Sequence, residues 1–380
     1  MTSEIALDKK RPRIAELTLR GFKTIRELEA FRPKPITILI GPNGAGKTNL
    51  ISFFSLLSWA LTPPGNLQIR VAELGGANTL LHDGSRRTPQ IEASIQIETD
   101  RGTNEYAFRL FHAAGDTLVF AEERYGFSPE NVKQGDYHPT SLGAGHLESR
   151  LIEAAESGKK TAQAMLAMLR RIIVHQFHDT SPNSQIRGKW DVEDGRWLKS
   201  DARNLAPFLY RLHNNEPKHY LRIVEATRMA LPFFADYEFE PEFGKLLLKW
   251  RERGSEQIFN AGQAADGMLR LMAWIALLLQ PEKDLPDVLL IDEPELGLHP
   301  YAIEVLAGLI HAASKHVQVI VATQSVSLVD RFEPEDIVVV DRRGRESTFA
   351  RQSASELSDW IDNYSLSELW EKNVLGGRPR

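Results

Sequence analysis

An α/β fold, in which an antiparallel meander joins a mostly parallel sheet and an inserted helical region interrupts the two, is predicted by three observations. A glycine-rich loop sits between an apolar strand and an apolar helix, period-two segments follow it in close succession, and from residue 262 onward helices alternate with apolar strands. In chain order, residues 15–25 read as a first strand and turn, 35–40 as a buried strand and 49–61 as an apolar helix. Between the last two, Gly41-Pro42-Asn43-Gly44-Ala45-Gly46-Lys47-Thr48 fits the P-loop pattern G-x-x-x-x-G-K-[ST] at every fixed position. Strand, glycine-rich loop and helix together suit a triphosphate, ATP or GTP. Glycines let successive backbone N–H groups close on phosphate oxygens, and the helix points its positive end at the same anion. Lys47 then reaches the β- and γ-phosphates, and the Thr48 hydroxyl takes one position on Mg²⁺.

Residues 90–99 alternate apolar and polar, and 105–111 and 117–124 repeat the habit across Asp100-Arg101-Gly102 and Gly115-Asp116, which reads as an antiparallel meander. From 125 to 145 the composition turns to Gly, Pro, Asn and Ser, and 146–171 reads as one long amphipathic helix. Residues 171–177 read as a strand, 179–200 as a polar loop, and 202–234 as two helices broken at Asn214-Asn215-Glu216-Pro217. The division expected is 1–124 and 235–380 as one domain, with 125–234 as the insertion. Beyond it, 238–251 reads as a hairpin around Gly244, and buried strands are expected at 288–291 and 317–322 in a parallel sheet.

Composition narrows the function classes. The 380 residues are 42 % hydrophobic and 26 % charged, the balance of a soluble globular chain, with no apolar run long enough to span a bilayer. The first ten residues lack the apolar core of a secretory signal, and with no cysteine there are neither disulfides nor thiolate metal sites, so a cytoplasmic location is expected. A net charge of −5 gives no global attraction to nucleic acid. Local basic clusters occur at Lys9, Lys10, Arg11 and Arg13, at Lys159, Lys160, Arg170 and Arg171, and over 187–203 around Trp190 and Trp197. Such clusters are more often solvated faces or docked loops than phosphate tracks.

The second acidic element is Asp287-Val288-Leu289-Leu290-Ile291-Asp292-Glu293-Pro294, an apolar strand ending in two carboxylates in the form of a Walker B segment. Asp292 can face Mg²⁺, and Glu293 can polarise a water. Thr48 and Asp292 are 244 residues apart, more than most P-loop folds leave between the two motifs. Ahead of that strand, Ala264-Ala265-Asp266-Gly267-Met268-Leu269-Arg270 opens an apolar helix with a glycine turn, either a further anion-binding device or a plain cap by Asp266. His175, His178 and Asp179 invite a metal reading, but residues three apart on a strand face opposite sides, which favours a structural or nucleotide-adjacent role.

Leu19-Arg20-Gly21-Phe22-Lys23, the P-loop, Ala265-Asp266-Gly267-Met268-Leu269-Arg270 and the run from Ile291 through Glu295, Gly297, Leu298 and His299 to Pro300 together resemble the RecF/SMC/OLD-like branch of ABC ATPases. More narrowly, the chain resembles the stand-alone bacterial predicted ATPases of the AAA-21 type, whose tail is similar to 332–341 and 364–379. The resemblance implies an ABC-type head that hydrolyses ATP with Mg²⁺. Gly41, Asn43, Gly44, Ala45, Gly46, Lys47, Thr48 and Asn49 would hold nucleotide, and Thr48 and Asp292 the metal. Glu293, Lys47 and Gln324 would be catalytic. Asp266 and Gly267, with Arg270, would act on the nucleotide of a second copy, so that a head-to-tail homodimer completes each site, with Gly297, Leu298 and His299 as the D-loop crossing between copies. Lys23 stands where this branch brings a basic residue toward nucleotide, and Gln176 is the candidate Q-loop glutamine.

Two departures from the family pattern, Ala265 for the signature serine and Gln324 for the switch histidine, each change a γ-phosphate contact and imply slow turnover. The resemblance also implies a separate nuclease or toxin effector in anti-phage defence or DNA maintenance. The alternative is a RecF-like repair ATPase that binds DNA itself. A transporter ATPase subunit or a non-hydrolysing scaffold fits less well with the early Gly-Phe-Lys element and with Glu293.

Overall fold

The computed structural model describes residues 11–62, 66–130, 138–353, 355 and 364–372. The readings made of the first ten residues, including Lys9 and Lys10, and of 373–379 in the tail lie outside the described residues.

The chain enters as β1 (Arg13–Phe22), turns at Lys23 with φ of 50°, and returns as β2 (Ile25–Phe31). The P-loop joins β3 (Ile36–Ile40) to α1 (Lys47–Ala60), and the short helices α2 (Leu67–Glu73) and α3 (Ala77–Leu80) lead to the meander. The meander comprises β4 (Gln90–Thr99), β5 (Gly102–Ala113), β6 (Thr117–Pro129) and β7 (Thr140–Gly143). With β1 and β2 these strands make an antiparallel sheet in the order β2-β1-β4-β5-β6-β7. Ile91, Ala93, Ile95 and Ile97 alternate onto its buried face, the period-two signature of a sheet packed on one side.

One long helix was expected over 146–171, and two are found, α4 (Leu151–Glu156) and α5 (Lys160–Arg170). Gly158 separates them at φ of 86°, a left-handed position that ends a helix and that L side chains rarely adopt. Next come β8 (Ile172–His175), β9 (Trp190–Asp191), α6 (Leu205–Asn215) and α7 (Pro217–Ala230), broken where Pro217 opens the second helix. The hairpin region holds β10 (Phe234–Glu238), β11 (Lys245–Leu246), β12 (Lys249–Glu252) and β13 (Ile258–Asn260). β10, β12 and β13 form a small sheet, while β11 turns aside to pair with β9.

The last third supplies α8 (Asp266–Leu278), β14 (Val288–Asp292), α9 (Pro300–Ser314), β15 (Gln318–Thr323), α10 (Val326–Val329), β16 (Ile337–Arg343), β17 (Glu346–Arg351) and α11 (Leu366–Glu371). The second sheet runs β17-β16-β3-β15-β14-β8, with β16, β3, β15, β14 and β8 all parallel and β17 antiparallel at the edge.

Its strands are apolar on both faces because both are covered. Leu39, Leu290, Ile320, Ala322, Val338 and Val340 pack with α1, α4, α5 and the meander. Ile38, Ile40, Leu289, Ile291, Val319, Val321 and Val339 pack with α6 to α9 on the other side. The buried Gln318 ties the two sheets at their base, accepting from the Ile14 N–H at 2.9 Å and donating to the Ile14 and Pro33 carbonyls at 3.1 Å.

Residues 125–234 do not stand apart as an insertion. β6 runs through the proposed boundary, α4 and α5 pack in the α1 core, and β8 pairs with β14 inside the parallel sheet. Only the segment from Phe177 through α7 packs on the opposite core. Among the described residues no helix is long and apolar enough to cross a membrane.

Candidate functional site

The carboxyl ends of β3, β14 and β15 lie side by side, and the residues that follow each strand converge there. β3 delivers the P-loop. Gly46 sits at φ of 115°, and a Cβ on it would lie 2.1 Å from Ser347 Oγ, while one on Gly41 would lie 2.0 Å from the Val340 carbonyl oxygen. No side chain fits either position without moving the β16–β17 hairpin. Ser347, from β17, braces the loop by donating to the Ala45 carbonyl at 2.6 Å, and its Oγ shares a hydroxyl–hydroxyl hydrogen bond with Thr24 Oγ1 at 2.6 Å. Asn49 also donates to Thr24 Oγ1, at 2.7 Å. Asn43, Gly44 and Thr48 are exposed at the mouth of the loop.

Lys47 is only 4 % exposed, and its ammonium donates to the Gly41 carbonyl at 2.6 Å and the Pro42 carbonyl at 3.0 Å. Burial lowers its pKa, while the nearby carboxylates of Glu293, Asp292 and Glu295 oppose the shift. Across the site Asp292 is 1 % exposed, with Thr48 Oγ1 at 3.4 Å from Oδ1 and Gln176 Nε2 donating to Oδ2 at 3.0 Å. Burial raises its pKa and Glu293 adds to the rise, whereas His178, Gln176 and Thr48 work against it. Among the described residues neither the Lys47 ammonium nor the Asp292 carboxylate forms an ion pair at contact distance; each is held by neutral hydrogen-bond partners instead. That donor set fits a Mg²⁺-bound polyphosphate: an ammonium and loop N–H groups for the anion, a hydroxyl and a carboxylate oxygen for the cation.

Glu293 leaves β14 in the left-handed region at φ of 46°, which turns its side chain out of the strand direction. Its Oε1 accepts from Gln324 Nε2 at 3.3 Å, so the residue in the switch position does meet the carboxylate after Asp292. Thr323 and Glu295 join them, Thr323 Oγ1 donating to Glu295 Oε1 at 2.6 Å. Glu295, Thr323 and Ser347 were missed in the sequence. A third acid in Asp-Glu-Pro-Glu was a signal for Glu295, but Ser347 lies 302 residues from Ala45 and nothing local marks it.

The glycine turn before α8 packs on the segment that follows Glu293. Ala265 is the N-cap residue and makes no side-chain cap, so the Asp266 cap considered for this helix does not form. Asp266 is the first helical residue and pairs with Arg187 at 2.8 Å. Gly267 is packed on the D-loop segment, where an added Cβ would meet the Gly297 carbonyl oxygen at 2.1 Å. Arg270 donates to the carbonyls of Phe177 at 3.0 Å, His178 at 2.9 Å and Leu296 at 3.1 Å. None of these bonds reaches 41–49.

His175 and His178 serve different neighbours. The His175 ring is buried, edge-on to Phe177 at 5.7 Å, and its pKa is lowered to about 4 by burial. His178 donates through Nε2 to the Asp292 carbonyl at 3.1 Å. Lys23 Nζ donates to Ser52 Oγ at 3.0 Å, and burial lowers its pKa. In 187–203 the cations are met by acids, Lys189 by Glu242, Lys199 by Asp194 and Arg203 by Asp201. Trp190 donates to the Gln185 carbonyl, and Arg196 covers the exposed Trp197 ring at 4.4 Å.

The sequence matches the family described as "AAA domain, putative AbiEii toxin, Type IV TA system" over residues 36–330, which spans the P-loop, the acidic strand end and the Gln324 turn. The chain belongs to this AAA_21 family. Solved structures place the AAA_21 fold. An Smc head bound to the C-winged helix domain of ScpA matches with a TM-score of 0.59 at 16 % identity, covering 91 % of this chain and 99 % of that one. An Smc head with an extended coiled coil, bound to the C-terminal domain of ScpA derived from Pyrococcus furiosus, matches with a TM-score of 0.58 at 15 % identity over 92 % and 99 %. No curated protein matches. This AAA_21 chain thus carries the AAA domain of its family and has the fold of those Smc heads.

Proposed function

We propose that this chain is an ATP-hydrolysing switch whose nucleotide site is completed by a second copy of itself. The observation that carries the reading is which residues bond to one another and which do not. Thr48, Gln176, Asp292, Glu293 and Gln324 meet at one group of strand ends, while the Asp266-Gly267 turn makes no bond to the P-loop of its own chain. A head-to-tail pair would bring that turn and the 297–299 segment onto the nucleotide of the partner.

In this reading the loop N–H groups of 43–48 and Lys47 hold the triphosphate, Thr48 and Asp292 hold Mg²⁺, and Gln176 orients the Asp292 carboxylate. Mg²⁺, when bound, would neutralise charge on the β- and γ-phosphate oxygens. Glu293 accepts a proton from the attacking water, and Gln324 fixes the carboxylate through its amide. Gln324 can donate a hydrogen bond but carries no charge, and Ala265 offers no hydroxyl, so turnover is slow and ATP acts as a clamp.

The family description, which names a putative toxin of a type IV system, supports a defence or toxin setting with a separate nuclease or toxin effector. The likeness to SMC heads favours a second reading, a RecF-type ATPase that binds DNA directly. Steady-state ATP hydrolysis with and without linear duplex DNA, with Lys47→Ala as the blank, separates the two. A slow rate indifferent to DNA supports the effector-gated switch, salt-dependent stimulation supports direct DNA sensing, and a rate equal to the blank refutes hydrolysis.

A further inference from the structure

We propose that Glu295 is a positioning residue of the hydrolytic centre, holding the end of β15 so that the Gln324 amide stays on Glu293. The inference rests on the reading above, in which Glu293 activates water. Two donors converge on Glu295 Oε1, the Thr323 hydroxyl at 2.6 Å and the Gln324 backbone N–H at 3.2 Å. Thr323 is fully buried, and its Oγ1 accepts in turn from the Ser325 N–H at 2.9 Å. Ser325 Oγ then caps α10 by accepting from the Leu328 N–H. Gln324 is therefore fixed at its own N–H and on both flanks, and only its side chain is free to face Glu293 at 3.3 Å.

The arrangement is costly, which argues against a casual surface turn. Glu295 Oε2 is buried with no hydrogen-bond partner, and burial pushes the carboxyl above its ordinary pKa, with Glu293 adding to the shift and Thr323 and Gln324 opposing it. An apolar residue at 295 would avoid that burial but would leave the Thr323 hydroxyl and the Gln324 N–H without their acceptor. The same residue lies between Glu293 and Gly297, which packs on Gly267. One carboxyl thus ties the Gln324 turn to the segment that contacts the Asp266-Gly267 turn.

The test compares Glu295→Ala, Glu295→Gln, Gln324→Ala and Glu295→Ala/Gln324→Ala with wild type and Glu293→Gln. Nucleotide affinity is read with a fluorescent ATP analogue and kcat from steady-state hydrolysis. Glu295→Ala is expected to bind nucleotide within about twofold of wild type and to lose about tenfold in kcat. Glu295→Gln, which keeps an oxygen acceptor, should recover most of the rate, and the double variant should be no slower than Gln324→Ala. Wild-type kcat in Glu295→Ala, no recovery in Glu295→Gln, or additive losses in the double variant would each overturn the proposal. If Glu293→Gln hydrolyses at the wild-type rate, the hydrolytic reading fails first and takes this inference with it.

Discussion

Lys47 is a buried cation whose acid partners lie beyond ion-pair distance, held meanwhile by two carbonyls of its own loop. Lys47→Ala removes both the charge and that staple, and is expected to weaken ATP binding by about 100-fold or more, read by titration with a fluorescent analogue. Glu293→Gln keeps the size and the acceptor for Gln324 but cannot take a proton. It should bind ATP as tightly as wild type while turnover falls by about 100-fold or more, and an unchanged rate would remove Glu293 from the role of base. His175 carries a different expectation. Its folded pKa of about 4 lies below the ordinary histidine value, so the unfolded chain takes up the proton first as pH falls. The stabilisation is complete above about pH 6.5 and is lost as pH drops through 4, on the order of 3 kcal/mol, measured by urea unfolding across that range. His175→Leu should flatten that part of the profile. Residues within a short motif were legible at this scale, since Asp292 and Glu293 end an apolar strand and Gln324 follows one. The Glu295–Thr323 and Ser347–Ala45 contacts were not, because each joins segments that only the fold brings together.

At the scale of elements, α8 and the turn before it are the part of the head that the proposed pairing would set against a second copy. Ten of its residues are buried, and its first turn lies directly on 297, where Gly267 leaves no room for a methyl group. Gly267→Ala is therefore expected to push the helix and the 297 segment apart, costing about 1–3 kcal/mol in urea unfolding, and to weaken ATP-driven association more than ATP binding. If association were unchanged while stability fell, the turn would have only a packing role. The strands of the parallel sheet were legible from their unbroken apolar runs, and the meander from its alternation. The misreadings have physical causes. Gly158 sits in an amphipathic pattern that continues across it, so periodicity alone joined α4 to α5. β8 is four residues long in a polar neighbourhood, and its pairing with β14 is set by the sheet rather than by local sequence, which made 125–234 read as an insertion.

For the whole molecule, two hydrophobic cores flank one parallel sheet, and the nucleotide residues gather where that sheet's strands end. Among the described residues Arg171, Arg187, Lys189 and Lys199 of the basic clusters pair with acids inside the chain, so any nucleic-acid binding by an isolated head is expected to be weak and to vanish at moderate salt. The central claim concerns what an isolated head lacks: the Asp266-Gly267 turn of a second copy. It is tested most directly by the solution mass of Glu293→Gln from light scattering, with and without Mg-ATP, beside Lys47→Ala. The account predicts a mass that doubles with ATP in Glu293→Gln and stays monomeric in Lys47→Ala. A Glu293→Gln protein that binds ATP and remains monomeric at every concentration tested would contradict it.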